Sequence, residues 1–123
     1  IKGMKWGVRR AKRYKEKMLI KSKKKADTAN KYYENAKYKL KDLKKYGKKS
    51  RFYNEFDYET LNAAKADYLS SVKTAATVGK TWMNVNNTLS KLNVNEVSKK
   101  EMTKIVKNII EKGKKEGGSW AYY

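Results

Sequence analysis

Apolar residues recur every three or four positions through the first half of the chain, as they do along one face of a helix. Neither Gly nor Pro interrupts residues 8–46, so the pattern predicts one long helix there. Gly47 is suited to end it, with lysines in the last turn. The stripe consists of Ala26, Ala29, Tyr33, Ala36, Leu40 and Leu43 and extends backward, less cleanly, through Ala11, Tyr14 and Met18, with Ser22 as a weak position.

A second helix is predicted at 57–92, with Asp57 as its N-cap. Gly79 lies in its interior and costs about 1 kcal/mol there relative to Ala. A neighbouring helix that crosses closely at this point would explain the glycine. The apolar stripe of this helix comprises Leu61, Tyr68, Val72, Ala75, Gly79 and Trp82, and it is broadened by Leu69, Ala76 and Met83.

A third, shorter helix is predicted at 98–112. Ser98 and Glu101 have the spacing of a capping box, in which each side chain satisfies a backbone donor of the other. We expect Gly113 to end the helix and residues 113–123 to form a glycine- and aromatic-rich tail. The apolar face consists of Met102, Ile105, Val106, Ile109 and Ile110.

Together these patterns predict an all-α fold with two long helices and a shorter C-terminal amphipathic helix. We expect one elongated helical domain at 11–112, because 123 residues with 39% hydrophobic content supply little material for a core. Extended docking segments are predicted at both ends of the chain.

The charge of the chain is strongly one-sided. Lys and Arg number 32 against 12 Asp and Glu, which gives a formal net charge of +20. Repulsion on this scale disfavours an isolated compact state and indicates an anionic partner. Nucleic acid, an acidic protein surface and an anionic membrane all satisfy this condition. An AT-rich genome is an alternative source of the lysine excess, but it does not explain the shortage of acids.

Lysine provides most of this positive charge, since arginine occurs at four positions, one of them Arg51. Lysine contacts phosphate as a point charge and lacks the planar fork with which arginine reads guanine. If the partner is DNA, we therefore expect sequence-indifferent contacts with its backbone. Tyr32 and Tyr38 lie off the apolar stripe and are alternative stacking positions for single-stranded nucleic acid. The predicted nucleic-acid contacts are Arg9, Arg10, Lys12, Arg13, Lys21, Lys23, Lys24 and Lys25.

Cysteine and histidine are both absent from the sequence. Their absence excludes disulfides, Ser-His and Cys-His catalytic sites and the usual zinc sites. The acids Glu55, Asp57 and Glu59 are close in sequence, but their position favours helix capping over paired-carboxylate catalysis. We therefore predict a non-enzymatic protein without a cofactor or metal. The apolar runs are also far shorter than the roughly 18 residues that span a membrane.

Residues 1–10 combine Trp6 with two glycines and several cations, which favours a docking peptide. Met4, Trp6 and Val8 are its candidate anchors. The stretch Lys-Gly-Met-Lys-Trp-Gly-Val-Arg-Arg at 2–10 resembles a short sequence carried by many tailed-bacteriophage virion and head-morphogenesis proteins, often after a His-x-Gly stretch that this chain lacks. Because those proteins differ in fold and activity, the resemblance implies a phage origin and not a mechanism. At the other end of the chain the candidate docking residues are Trp120, Tyr122 and Tyr123.

Charge and resemblance together predict a virion structural protein of the inner-core or minor-capsid type. Such a protein, made in the bacterial cytoplasm, would lie inside the phage head in several copies, contact double-stranded DNA and dock to capsid or portal proteins. Because the sequence starts at Ile1 rather than Met, we expect it to have been processed or to continue a longer chain. One alternative is a membrane-acting ejection protein whose helix at 98–112 lies on an anionic bilayer. Another is a nucleoid or ribosomal-type protein.

Overall fold

The protein is all-α. The computed structural model describes residues 2–54, 60–117 and 120, with side chains from residue 7 onward, and no strand occurs among them. Four α-helices follow one another: α1 at Lys2–Tyr46, α2 at Thr60–Thr74, α3 at Lys80–Lys91 and α4 at Lys99–Lys115. A 3₁₀ turn at Gly47–Lys49 ends α1, and a π-helical segment at Ala75–Gly79 joins α2 to α3.

Helix α1 has 45 residues and is longer than predicted. It begins at Lys2, so the prediction of an extended segment at 1–10 is wrong for residues 2–10. Two glycines cost about 1 kcal/mol each in a helix, but the Lys, Met and Arg residues between and after them are good helix formers. The predicted stripe is confirmed, because Ala11, Met18, Ala26, Ala29, Ala36, Leu40 and Leu43 are buried.

Helix α1 ends as the sequence predicts. Gly47 has a φ of 55°, a left-handed conformation that glycine adopts without steric cost. The chain then turns back, and the Ser50 hydroxyl donates a hydrogen bond to the Asp42 carboxylate on the last turns of α1. Phe52 and Tyr53 pack against a small cluster formed by Leu40, Leu43 and Ala64, which joins the end of α1 to the start of α2.

The predicted second helix is present as one continuous helical run from Thr60 to Lys91. Within it the π-helical segment lies between α2 and α3, and Asp57 lies outside the described residues. Gly79 is buried at this segment, and a Cβ placed on it would lie 3.6 Å from the Ala29 Cβ on α1. A neighbouring helix therefore passes beside Gly79, as predicted, at a distance where a methyl group would make ordinary van der Waals contact.

The predicted apolar stripe of this helix is only partly right. Trp82 is buried, but Leu61 and Val72 are each 38% exposed. The predicted broadening residues are also exposed, with Leu69 at 68% and Met83 at 42%. In α2 the residues that are buried instead are small or polar. The residues buried from this part of the chain are Thr60, Ala64, Ser71, Thr74, Val78, Gly79, Thr81, Trp82, Val85 and Leu89.

Helix α4 starts as predicted and ends later. The Ser98 hydroxyl accepts a hydrogen bond from the Glu101 amide at 3.1 Å, which confirms the serine cap. The prediction that Gly113 ends the helix is wrong, because α4 continues through it to Lys115. Gly113 is buried against Thr81 of α3, so the glycine permits a close approach between two helices and does not terminate one.

One main core joins α1, α3 and α4. Its buried members come from these three helices and from the π-helical segment, and Met102 and Val106 are the contribution of α4. Ile109 and Ile110 are partly buried and pack against this core. The apolar face predicted for α4 therefore packs against the rest of the chain. No helix in the described part of the chain has the length and apolar character needed to cross a membrane.

Candidate nucleic-acid interface

The positive charge is concentrated on α1. This helix holds more than half of the 32 Lys and Arg residues but only a third of the 12 Asp and Glu residues. Between Thr60 and Lys91, by contrast, the chain has four lysines and one aspartate. Because one side of α1 is occupied by the buried stripe, its cations lie around the remaining circumference.

Six of these cations form a continuous row along one flank of α1, which we call the basic ridge. Successive members are separated by three, four or seven residues, the spacings that place side chains on the same side of a helix. All six are exposed. At 1.5 Å per residue the row extends about 32 Å, close to the roughly 34 Å of one turn of B-DNA. The basic ridge consists of Arg10, Arg13, Lys17, Lys21, Lys24 and Lys31.

The acids of α1 lie beside the basic ridge. Glu16 and Glu34 lie three residues after the ridge members Arg13 and Lys31, toward one border of the ridge. Asp27 lies three residues after Lys24 and four before Lys31, at the seven-residue step of the ridge. The fourth acid, Asp42, lies beyond the end of the ridge and accepts the hydrogen bond from Ser50. The ridge is therefore predominantly positive, with carboxylates along one border and Asp27 at its seven-residue step.

The eight predicted contact residues divide between two flanks of α1. Arg10, Arg13, Lys21 and Lys24 belong to the basic ridge. The second flank carries the exposed residues Arg9, Lys12 and Lys23, which lie on the same side as the acids. Lys25 is half-buried and has an interaction within the protein, so it is the least available of the eight.

Two ridge residues, Lys17 and Lys31, were missed because the prediction followed runs of adjacent cations. Adjacent residues point about 100° apart on a helix, so a run is divided between faces. The signal that identifies them is the spacing of the row that starts at Arg10: Lys17 follows Arg13 by four residues, and Lys31 follows Lys24 by seven.

A cluster of aromatic and cationic side chains lies near the C-terminal end of α1. The Arg51 guanidinium is 5.3 Å from the Tyr38 ring centroid and 5.0 Å from that of Phe52, and it donates a hydrogen bond to the Tyr38 hydroxyl at 2.7 Å. Tyr32 and Tyr38 line a neighbouring groove of about 680 Å³ and are both exposed, in agreement with their predicted position off the stripe. Arg51 itself is engaged in contacts within the protein.

The predicted docking residues fall largely outside the described part of the structure. This applies to the side chains of Met4 and Trp6 and to Tyr122 and Tyr123 entirely. Val8 is half-buried on α1. Trp120 packs against the main core, and its indole N–H donates a hydrogen bond to the Gly117 carbonyl at 2.8 Å.

Within the described residues, no group of three or more His, Cys, Asp or Glu side chains is placed to hold a metal ion. Comparison with protein-family models, curated proteins and solved structures gave no match. The charge distribution on α1 is therefore the observation on which a functional proposal rests.

Proposed function

We propose that this chain is a non-enzymatic structural protein that binds double-stranded DNA through the phosphate backbone. The basic ridge is the observation that supports the proposal. It aligns six cations over a length that matches one turn of duplex, and DNA carries a negative charge about every 1.7 Å along its axis. Long helices such as α1 also suit an elongated protein that lies along a duplex.

The side chains of the ridge favour contact without sequence readout. Four of its six members are lysines, which bind phosphate oxygens as flexible point charges. Base recognition in the major groove relies mainly on forked or bidentate groups such as Arg, Asn and Gln. The ridge has two arginines, both at its N-terminal end.

The setting we propose is the interior of a phage head. The resemblance at 2–10 and the need to neutralise packaged DNA both support an inner-core or minor-capsid role in several copies per particle. In this proposal residues 2–10 and the C-terminal aromatic residues dock to capsid or portal proteins. The membrane-acting alternative has less support, because the α4 face that it requires packs in the core.

The experiment compares two triple variants of α1 that each remove three exposed charges. The ridge variant is Lys17→Ala, Lys21→Ala and Lys24→Ala. The control variant is Lys12→Ala, Lys23→Ala and Lys41→Ala, from the flank that also carries acids. Lysine and alanine are both good helix formers, so circular dichroism should show unchanged helicity in each.

Duplex binding is measured for both variants between 50 and 200 mM salt, with duplexes of unrelated sequence. For the wild type we expect a steep linear fall of log K with log salt, at a slope of about −0.9 per phosphate contact. The ridge variant should lose about 2.7 from the magnitude of that slope. The control should lose much less. Equal losses in both variants would show that the charge acts diffusely, and a salt-independent wild type would exclude DNA as the partner.

A further inference from the structure

A cationic groove lies where the N-terminal part of α1 meets the start of α4. It encloses about 550 Å³ and is lined by Arg10, Arg13, Tyr14, Lys17 and Lys99. This volume is within the roughly 300–1,000 Å³ typical of ligand-binding clefts. Three of its cations belong to the basic ridge, whereas Lys99 comes from a helix that is distant in sequence.

The fold holds Lys99 in this groove through contacts of the segment that directly precedes it. The Lys15 ammonium donates a hydrogen bond to the Leu92 carbonyl at 2.8 Å, which ties α1 to the end of α3. Val94 and Val97 then pack against the main core, so the connection to α4 is fixed. The serine cap at Ser98 starts α4 directly afterwards. Lys15 is therefore a structural lysine, and its bond helps to place Lys99 beside the ridge.

The four cations of the groove are not neutralised by the protein. In the described part of the chain, no carboxylate lies within ion-pairing distance of Arg10, Arg13, Lys17 or Lys99. All four residues are exposed. Like charges held together by a fold destabilise the free protein, and a bound anion relieves that repulsion.

We propose that this groove binds a phosphate group of the DNA backbone, gripped between α1 and α4. The inference rests on the proposed function and adds a specific site to it. Arginine forks bind phosphate oxygens in a bidentate manner, and the groove contains both arginines of the ridge. Lys99 contributes a charge from the opposite wall. The duplex is therefore held from two sides at this end of the ridge and from one side elsewhere.

The test compares Lys99→Ala with Lys100→Ala. Both residues are exposed in the first turn of α4 and both changes remove one charge, but Lys100 does not line the groove. The first measurement is thermal unfolding with and without pyrophosphate at constant ionic strength. Ligands that bind the native state raise the midpoint. We expect pyrophosphate to raise it for the wild type and Lys100→Ala and to have little effect on Lys99→Ala.

The second measurement is the salt dependence of duplex binding. Lys99→Ala should lower the magnitude of the slope by about 0.9, the value for one phosphate contact, and Lys100→Ala should leave it near the wild-type value. Equal stabilisation of all three proteins by pyrophosphate would overturn the groove as a phosphate site. If pyrophosphate stabilises the wild type and Lys100→Ala but not Lys99→Ala, while the two variants have equal salt slopes for DNA binding, the groove binds free phosphate. That outcome would overturn its assignment to the DNA backbone. If the wild type does not bind DNA at all, the proposed function fails, and the pyrophosphate result still reports on the groove.

Discussion

Replacement of Gly113 by alanine tests the contact that positions α4, and with it Lys99. A Cβ at this position would collide with the Thr81 hydroxyl on α3 and lie 2.6 Å from the Thr81 Cγ2 atom. Thr81 is buried, and its hydroxyl donates a hydrogen bond to the Thr77 carbonyl at 2.6 Å. The threonine therefore cannot turn away without losing that bond.

The expected change in the free energy of unfolding combines one gain and two losses. Alanine is better than glycine in a helix interior by about 1 kcal/mol. Overpacking costs about 1–3 kcal/mol, and loss of the threonine hydrogen bond costs about 0.5–1.5 kcal/mol. Gly113→Ala should therefore lower the free energy of unfolding by about 1–3 kcal/mol. Gly79→Ala is the matched control, because its Cβ would make ordinary contacts with Ala29 at 3.6 Å and with the Ala26 carbonyl oxygen at 4.0 Å. We expect that variant to be as stable as the wild type or up to about 1 kcal/mol more stable.

Urea unfolding followed by circular dichroism measures both variants. Adding Thr81→Ala to Gly113→Ala removes the two closest atoms and should recover part of the lost stability. A positive coupling in this double-mutant cycle would locate the clash at the α3–α4 contact. If the free energy of unfolding of Gly113→Ala equals that of the wild type, or rises as it does for Gly79→Ala, the packing argument is wrong.

Two further predictions concern the alternatives for α4 and for the N-terminal segment. Met102→Ala should lower the free energy of unfolding by about 2–5 kcal/mol, because Met102 is fully buried in the main core. Leakage of anionic liposomes caused by the wild type, together with an unshifted unfolding curve for this variant, would favour the membrane-acting alternative. Trp6→Ala should reduce incorporation into phage particles without changing the circular-dichroism spectrum, and equal incorporation of variant and wild type would show that the segment is not an anchor.

The helical class and the buried face of α1 could be predicted because both depend on local periodicity. Ser22 is a position whose burial local periodicity does not predict. It interrupts the apolar stripe, yet it is fully buried, and the Asn86 amide donates hydrogen bonds to its hydroxyl at 3.1 Å and to the Leu19 carbonyl at 3.0 Å. The partner lies on α3, 64 residues away in sequence. A polar pair between helices leaves no trace in the pattern of either helix alone.

Gly79 of the π-helical segment and Gly113 of α4 demonstrate a related limit. Helix α1 passes beside Gly79 as the sequence predicts, but a methyl group there would meet only ordinary contacts. Gly113 follows the last apolar position, which predicts a terminator, but in the structure it allows close packing against Thr81 of another helix. The candidate site shares this dependence on tertiary structure. The row from Arg10 to Lys31 follows from helical spacing, but the approach of Lys99 to it follows from how α4 packs.

The distribution of charge on α1 bears on why the chain is so rich in lysine. A biased genome can set how many lysines a chain contains, and burial keeps them off the stripe. Neither effect sets the number of acids among the exposed positions, yet α1 has far fewer acids than cations, and Glu16, Asp27 and Glu34 all lie toward one border of the basic ridge. More acids on the ridge would reduce repulsion and stabilise the free protein, so the excess of cations there has a stability cost. A bound polyanion neutralises the ridge and offsets that cost. In the proposed function this polyanion is DNA.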